Sequence, residues 1–316
     1  MSSATSEVGG DTCVLLDYFI KSASNSLRFS AEFRRIAPPV FFLGGVRMKA
    51  KELLEANQLS AAAAELIQEV KQHPADSRLR TFLFEVLCFS GEFERAERQL
   101  DVIGHQNEKS GIGVEVYRNL IRAETARRKL FSHGLKPTFL ADPPDHVTYQ
   151  LEAINCLRGG NAVEAKALLS RSQEGSPAIR CRINGKEFSG FRDSDDRTAS
   201  ILEVFAQDVY AWVPLGQIIK VTISAPKHLR DLLWVPATME VVDRPPVEVF
   251  LPVLYAGSEH DENDQIRLGR MTDWLGLGEG IAGGIGQKVF IAGNEENALL
   301  EIRELEFEVN HEPVSS

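Results

Sequence analysis

The sequence predicts an α+β protein: tetratricopeptide-like helical repeats followed by a smaller β-rich domain. Three observations predict it. A helical hydrophobic pattern opens at Met48, turn and apolar markers recur at a spacing of 34 residues, and the pattern changes after Pro177 to short alternating runs.

The first 47 residues stand apart, rich in Ser and Gly and interrupted by Pro38-Pro39. They read as an extension, or as the product of a start assigned upstream of Met48; the late start is the preferred reading, and the true start codon is Met1 or Met48. From Met48 the run MKAKELLEANQLSAAAAELIQEVKQHP is amphipathic. Asn57, Leu59, Ala62, Leu66 and Pro74 map onto Gly91, Phe93, Ala96, Leu100 and Glu108, four of the five keeping their type, and again, out of phase, onto Gly160, Ala162, Ala165, Leu169 and Pro177. The Asn or Gly lets the chain reverse between two helices. The small residue lets the second helix approach the first. Asp76 or Ser77 is placed to cap the helix that carries Leu79, Leu83, Val86 and Leu87. Val114–Arg128 reads as a further helix, and Pro143-Pro144 rule out a continuous helix beyond it.

Beyond a boundary near Gly175-Ser176-Pro177, Ile179–Ile183 alternates and Asn184-Gly185 signals a hairpin. Asp196–Gln207 reads as one amphipathic helix. Tyr210–Val213, Ile218–Ile223, Thr238–Val242, Val247–Leu254, Lys288–Ile291 and Leu299–Val309 read as strands of an antiparallel sheet. The implied divisions are 1–47 extension, 48–178 helical domain, 179–310 α+β domain and 311–316 tail.

Chemistry is sparse. The net charge of −10 argues against a nucleic-acid partner. Arg122, Arg127, Arg128 and Lys129 form the best basic patch and read as a solvated helix face. No apolar run approaches the ~20 residues that span a bilayer, and Met1–Asp11 lacks the basic start of a secretory signal, so a cytoplasmic location without membrane insertion is expected. Cys13, Cys88, Cys156 and Cys181 form no CxxC pair and read as reduced core residues. Gly278, Gly280 and Gly283 satisfy G-x-G-x-x-G but precede a strand rather than a helix, which reads as a flexible loop and not a dinucleotide site. The acidic cluster Glu259–Asp264 lacks calcium-loop spacing and reads as a solvated loop, while Asp195 or Asp196 reads as a helix cap. No phosphate loop, nucleophile elbow or metal-spaced histidine pair occurs, so no catalytic, cofactor-binding or metal residue is assigned.

Several stretches carry a resemblance. Tyr210–Pro214, Leu229–Trp234, Leu251–Glu259, Leu268–Trp274, Gly286-Gln287 and Arg303–Phe307 resemble, in order, the ImpE/SciE/TagJ family of type VI secretion accessory proteins; so do ADSRLRTFLFEVLCFSGEFERAERQLDVI and VYRNLIRAETARRKLF before them. The resemblance runs from about Met48 to Glu308. Ala256-Gly257 departs from the Pro-Gly more usual there. It implies a non-enzymatic adaptor that binds the small sheath subunit through that subunit's N-terminal helix and links it to a ClpV-type AAA+ ATPase. A generic repeat scaffold in another cytoplasmic complex and an unrecognised hydrolase are the alternatives. Tyr210, Trp212, Trp234, Tyr255 and Trp274 gather in the second half, and aromatics make good binding anchors, so these five are the candidate partner-binding residues; filling a core is the competing explanation.

Overall fold

The computed structural model describes residues 49–106, 111–139 and 142–308. The extension before Met48, the choice of start, Cys13 and the tail lie outside them.

Seven helices come first: α1 (Lys49–Glu55), α2 (Leu59–Gln72), α3 (Ser77–Phe89), α4 (Phe93–Gln106), α5 (Gly111–His133), α6 (Asp145–Arg158) and α7 (Ala162–Gly175). The repeat markers fall where the geometry needs them. Asn57, Gly91 and Gly160 all take positive φ at the turns α1–α2, α3–α4 and α6–α7, a conformation costly for most side chains. Ala62, Ala96 and Ala165 are fully buried on the second helix of each pair. Asp76 caps α3 by accepting from the amides of Arg78 and Leu79. Among the described residues, no helix is long and apolar enough to cross a membrane.

The strands come next: β1 (Arg180–Ile183), β2 (Lys186–Ser189), β3 (Phe191–Asp193), β4 (Ile201–Ala206), β5 (Val209–Pro214), β6 (Ile218–Ile223), β7 (Trp234–Val241), β8 (Val247–Pro252), then a short helix α8 (Asp264–Arg267), and β9 (Thr272–Gly276), β10 (Ala282–Gly286), β11 (Val289–Ala292), β12 (Glu295–Ala298) and β13 (Glu304–Phe307). The main sheet has the order β2-β1-β13-β6-β7-β8-β4-β5, with antiparallel neighbours throughout. A three-stranded sheet β12-β11-β3 and the hairpin β9–β10 complete the described strands.

Two expectations need correction. Asp196–Gln207 is not a helix but a 3-10 turn (Asp196–Thr198) followed by β4. All six residues of β4 are buried, so both faces are covered and the alternation that marks a half-exposed strand is lost. The glycine-rich WLGLGEGIAGGIG is the hairpin β9–β10 rather than a loop. Its glycines answer to close packing: a Cβ on Gly284 would lie 2.3 Å from the Tyr255 ring.

Secondary structure changes between Gly175 and Arg180, yet one hydrophobic core runs from Ala50 in α1 to Phe307 in β13. The two halves meet at specific bonds. Asp264 Oδ2 accepts from the Leu59 amide at 2.7 Å, capping α2, whose own Gln58 supplies no side-chain cap. Arg270 donates to the Glu55 carbonyl and to Asn57 Oδ1. Thr138, beyond α5, exchanges backbone bonds with Tyr210 and Trp212 and so extends the β5 edge. The repeat helices therefore bury their apolar face against the sheet of the same chain.

Candidate functional site

At the centre of that contact lies a cluster of charged side chains. α5 delivers Glu124, Arg127 and Arg128 from one face, because positions three and four apart share a helix surface. β4 delivers Glu203, the end of β3 delivers Asp193, and the link between β10 and β11 delivers Lys288. Arg127 grips Glu203 with two bonds, Nε to Oε1 at 2.9 Å and Nη2 to Oε2 at 3.0 Å, and Nη2 also donates to the Leu254 carbonyl. Lys288 bridges Glu203 Oε2 at 2.9 Å and Asp193 Oδ2 at 2.8 Å. Tyr210 donates to Glu203 and receives the Trp212 indole N–H; Tyr255 donates to Asp193. Asp195 binds Arg197 and accepts from the Gly284 amide.

Electrostatics reflect this saturation. Burial alone would raise the Glu203 carboxyl, but the charges of Arg127 and Lys288 and the bonds from Arg127 and Tyr210 outweigh it and hold it well below the ordinary carboxylate range. Asp193 goes the other way: burial, with Asp195 adding to it, pushes its carboxyl up against the pull of Lys288. Burial, reinforced by Glu203, drives the Tyr210 phenol well above its usual range.

The expectation of a solvated basic face holds for Arg122 and Lys129, which are exposed, and is overturned for the other two. Arg127 is 1% exposed and Arg128 bonds Glu124 and the buried carboxylate of Glu259. The acidic loop is likewise only partly solvated. Glu259 and Asp264 turn inward to Arg128 and Leu59, while Asp261 and Glu262 remain at the surface. Asp195 does cap the turn that begins at Asp196. Cys88 and Cys181 are buried and Cys156 is half-buried.

Such convergence of carboxylates, tyrosines and cations invites a catalytic reading, but the space beside it does not. A crevice lined by Cys88, Phe93, Glu124, Arg127, Trp234 and Tyr255 holds about 20 Å³, room for roughly one water molecule. Among the described residues, four buried side-chain polar atoms lack a partner: Glu85 Oε2, Ser194 Oγ, His228 Nδ1 and Arg267 Nε. None belongs to the groups that join Arg127, Glu203, Lys288 and Asp193. The arrangement neutralises charge between helices and sheet. A second clasp lies nearby, where Arg230 donates to Glu85 Oε1 and to the Tyr117 hydroxyl, again joining the turn before β7 to two helices.

Of the five candidate binding aromatics, the structure draws four inward. Tyr210, Trp212, Trp234 and Tyr255 are no more than 4% exposed, Trp212 fully buried, because their polar tips are spent on the charge cluster and their rings on the core. Trp274 is different. It is 39% exposed on β9, its ring 6.0 Å from that of Tyr255. Sequence reasoning missed Glu203 and Lys288, which lie 76 positions from Arg127 and 95 from Asp193, respectively, in the bonds that define the cluster. The available signal was a charge inside an apolar strand, Glu203 in ILEVFA and Lys288 in QKVFIA.

Comparison with known proteins agrees with this architecture. The family model described as ImpE protein matches residues 185–306. The type VI secretion system accessory component TagJ of Pseudomonas aeruginosa is 34% identical over 265 residues, 84% of this chain and 93% of that protein. The crystal structure of protein VPA1032 from Vibrio parahaemolyticus superposes with a TM-score of 0.77 at 25% identity, covering 82% of this chain and 97% of that one. With so much of both chains aligned to TagJ, and with the ImpE match lying across the sheet, this chain belongs to the ImpE/TagJ family of type VI secretion accessory proteins.

Proposed function

We propose that the chain is a non-catalytic cytoplasmic adaptor of the type VI machine, binding the small sheath subunit through that subunit's N-terminal helix and linking it to a ClpV-type AAA+ ATPase. The observation that carries the reading is the closed charge cluster. In a family of accessory components, the charge cluster between helices and sheet is saturated by its own bonds and opens onto space for a single water. Partners are then met by surfaces. Trp274 is the aromatic a partner helix reaches directly, and Tyr255 lies against its ring from within, whereas Tyr210, Trp212 and Trp234 are buried in the core. Aromatic anchors of this kind dominate many interfaces.

Co-purification with the small sheath subunit tests the reading. The intact subunit should be retained, and a subunit lacking its N-terminal helix should not. Trp274→Ala should weaken retention, a hot-spot loss costing about 2 kcal/mol. Equal retention without the helix, or none with it, would remove the sheath subunit as partner.

A further inference from the structure

The hairpin β9–β10 has one edge closed by side chains and one left open. On β10, the amides of Ala282, Gly284 and Gly286 turn away from β9 to Asp196 Oδ2, Asp195 Oδ2 and Ser258 Oγ, at 2.9, 2.9 and 2.8 Å. Three side-chain oxygens thus stand where a neighbouring strand would be. The ladder between the strands must then run through the pairs Asp273–Ile285 and Leu275–Gly283, since bonded and non-bonded pairs alternate in antiparallel strands. Trp274 and Gly276 consequently point their amides and carbonyls outward from β9. The Trp274 amide is met only by the neighbouring Asp273 carboxylate at 2.8 Å, and among the described residues no donor reaches the Trp274 or Gly276 carbonyl. Asp273, Trp274, Leu275 and Gly276 are all exposed.

The other exposed edges look different. β2 carries Lys186 and Glu187, and β12 carries Glu295 and Glu296, charges that discourage strand addition. On β9 the edge is flanked by Trp274 and Leu275, which offer apolar surface on either side of the strand.

We propose that the free edge of β9 receives an extended segment of another protein, one that alternates apolar and basic residues. Backbone bonds to Trp274 and Gly276 would add it as a third strand, the mode by which exposed sheet edges take peptides. Its basic character is set by the charges around the edge. Asp273 and Glu279 are exposed, whereas the cations nearby are engaged, Arg270 by Glu55 and Asn57 and Arg197 by Asp195. Asp273 would release the Trp274 amide to the incoming strand and turn to its cation. A second copy of this chain is a poorer occupant, because its own β9 brings another Asp273 carboxylate to the edge and no cation. This goes beyond the adaptor reading: a helix would cover the Trp274 ring, while the edge takes backbone.

The test uses the full chain and a short fluorescent peptide of alternating Val and Lys, read by anisotropy and by tryptophan emission. Saturable binding with a shift of emission to shorter wavelength is expected. The peptide with Pro at its centre, the Val–Glu peptide, and the Asp273→Lys chain with the Val–Lys peptide should each bind about tenfold more weakly. No saturable binding, or equal binding of the Pro peptide, overturns the proposal. So does tighter binding of a peptide of residues 38–47, which assigns the edge to this chain's own extension, or self-association abolished by Trp274→Pro, which assigns it to a second copy. Sheath-subunit retention is a separate measurement and is unaffected by these outcomes.

Discussion

Arg127 shows how far a residue's role can depart from its neighbourhood in sequence. In TARRKLF it reads as one of several solvated cations, yet it is the bonded centre of the molecule. What the sequence lacked was the opposing strand, since Glu203 and Lys288 become its neighbours only when β4 and the β10–β11 link are folded over α5. Removing one member of a buried ion cluster leaves the others uncompensated. Arg127→Ala should therefore lower unfolding free energy by about 3–5 kcal/mol, measured by urea denaturation, whereas Arg122→Ala on the exposed part of the same helix should change it by less than about 0.5 kcal/mol. Glu85 gives a second expectation. Burial pushes its carboxyl up to about 7 although Arg230 lies 2.5 Å away, for its other oxygen finds no donor. A raised carboxyl pKa means that the folded state holds the proton more tightly than the unfolded chain. That contribution is complete below about pH 4.5 and is lost as pH rises through about 7. Stability should fall by about 3 kcal/mol across this window, and Glu85→Gln, which keeps the neutral form, should flatten the slope in thermal melts taken over it. Glu203 acts in the opposite sense. Its depressed pKa contributes stability above the ordinary carboxylate range that is lost as pH falls towards the folded value.

Elements were legible where their pattern is periodic and opaque where burial is two-sided. The recurrence of Asn57, Gly91 and Gly160 located three helix turns because a positive φ restricts residue choice at those positions. Asp196–Gln207 was misread because a run buried on both faces carries no alternation to distinguish strand from helix. The hairpin β9–β10 was hidden by its glycines, which look like freedom in sequence and turn out to make room: Gly284 for Tyr255, Gly283 for Leu277 and Arg197. Gly284→Ala should force the Tyr255 ring aside and cost about 1–3 kcal/mol, detectable as a lower melting temperature together with a change in Trp274 emission, since that ring lies against Tyr255. At α2 the helix start depends on the other half of the molecule. Asp264→Ala should remove the Leu59 cap and cost about 1 kcal/mol, visible as faster hydrogen exchange in the first turn of α2.

At the scale of the whole molecule, the change from helices to strands was readable as a change of period, but the union of the two was not. It rests on contacts between positions far apart: Arg127 with Glu203, Arg230 with Glu85, Asp264 with Leu59. The same union bears on the site. Four of the five aromatics proposed as anchors are consumed in making it, leaving Trp274 at the surface and the β9 edge open. If the charge cluster is an interlock, helices and sheet must unfold together, as expected where the main core spans both. All three tryptophans lie in the sheet half, and all helices of seven residues or more lie before it among the described residues. Urea unfolding followed at once by tryptophan emission and by helical circular dichroism separates the alternatives. The account predicts one coincident transition by both probes; two transitions with distinct midpoints would contradict it.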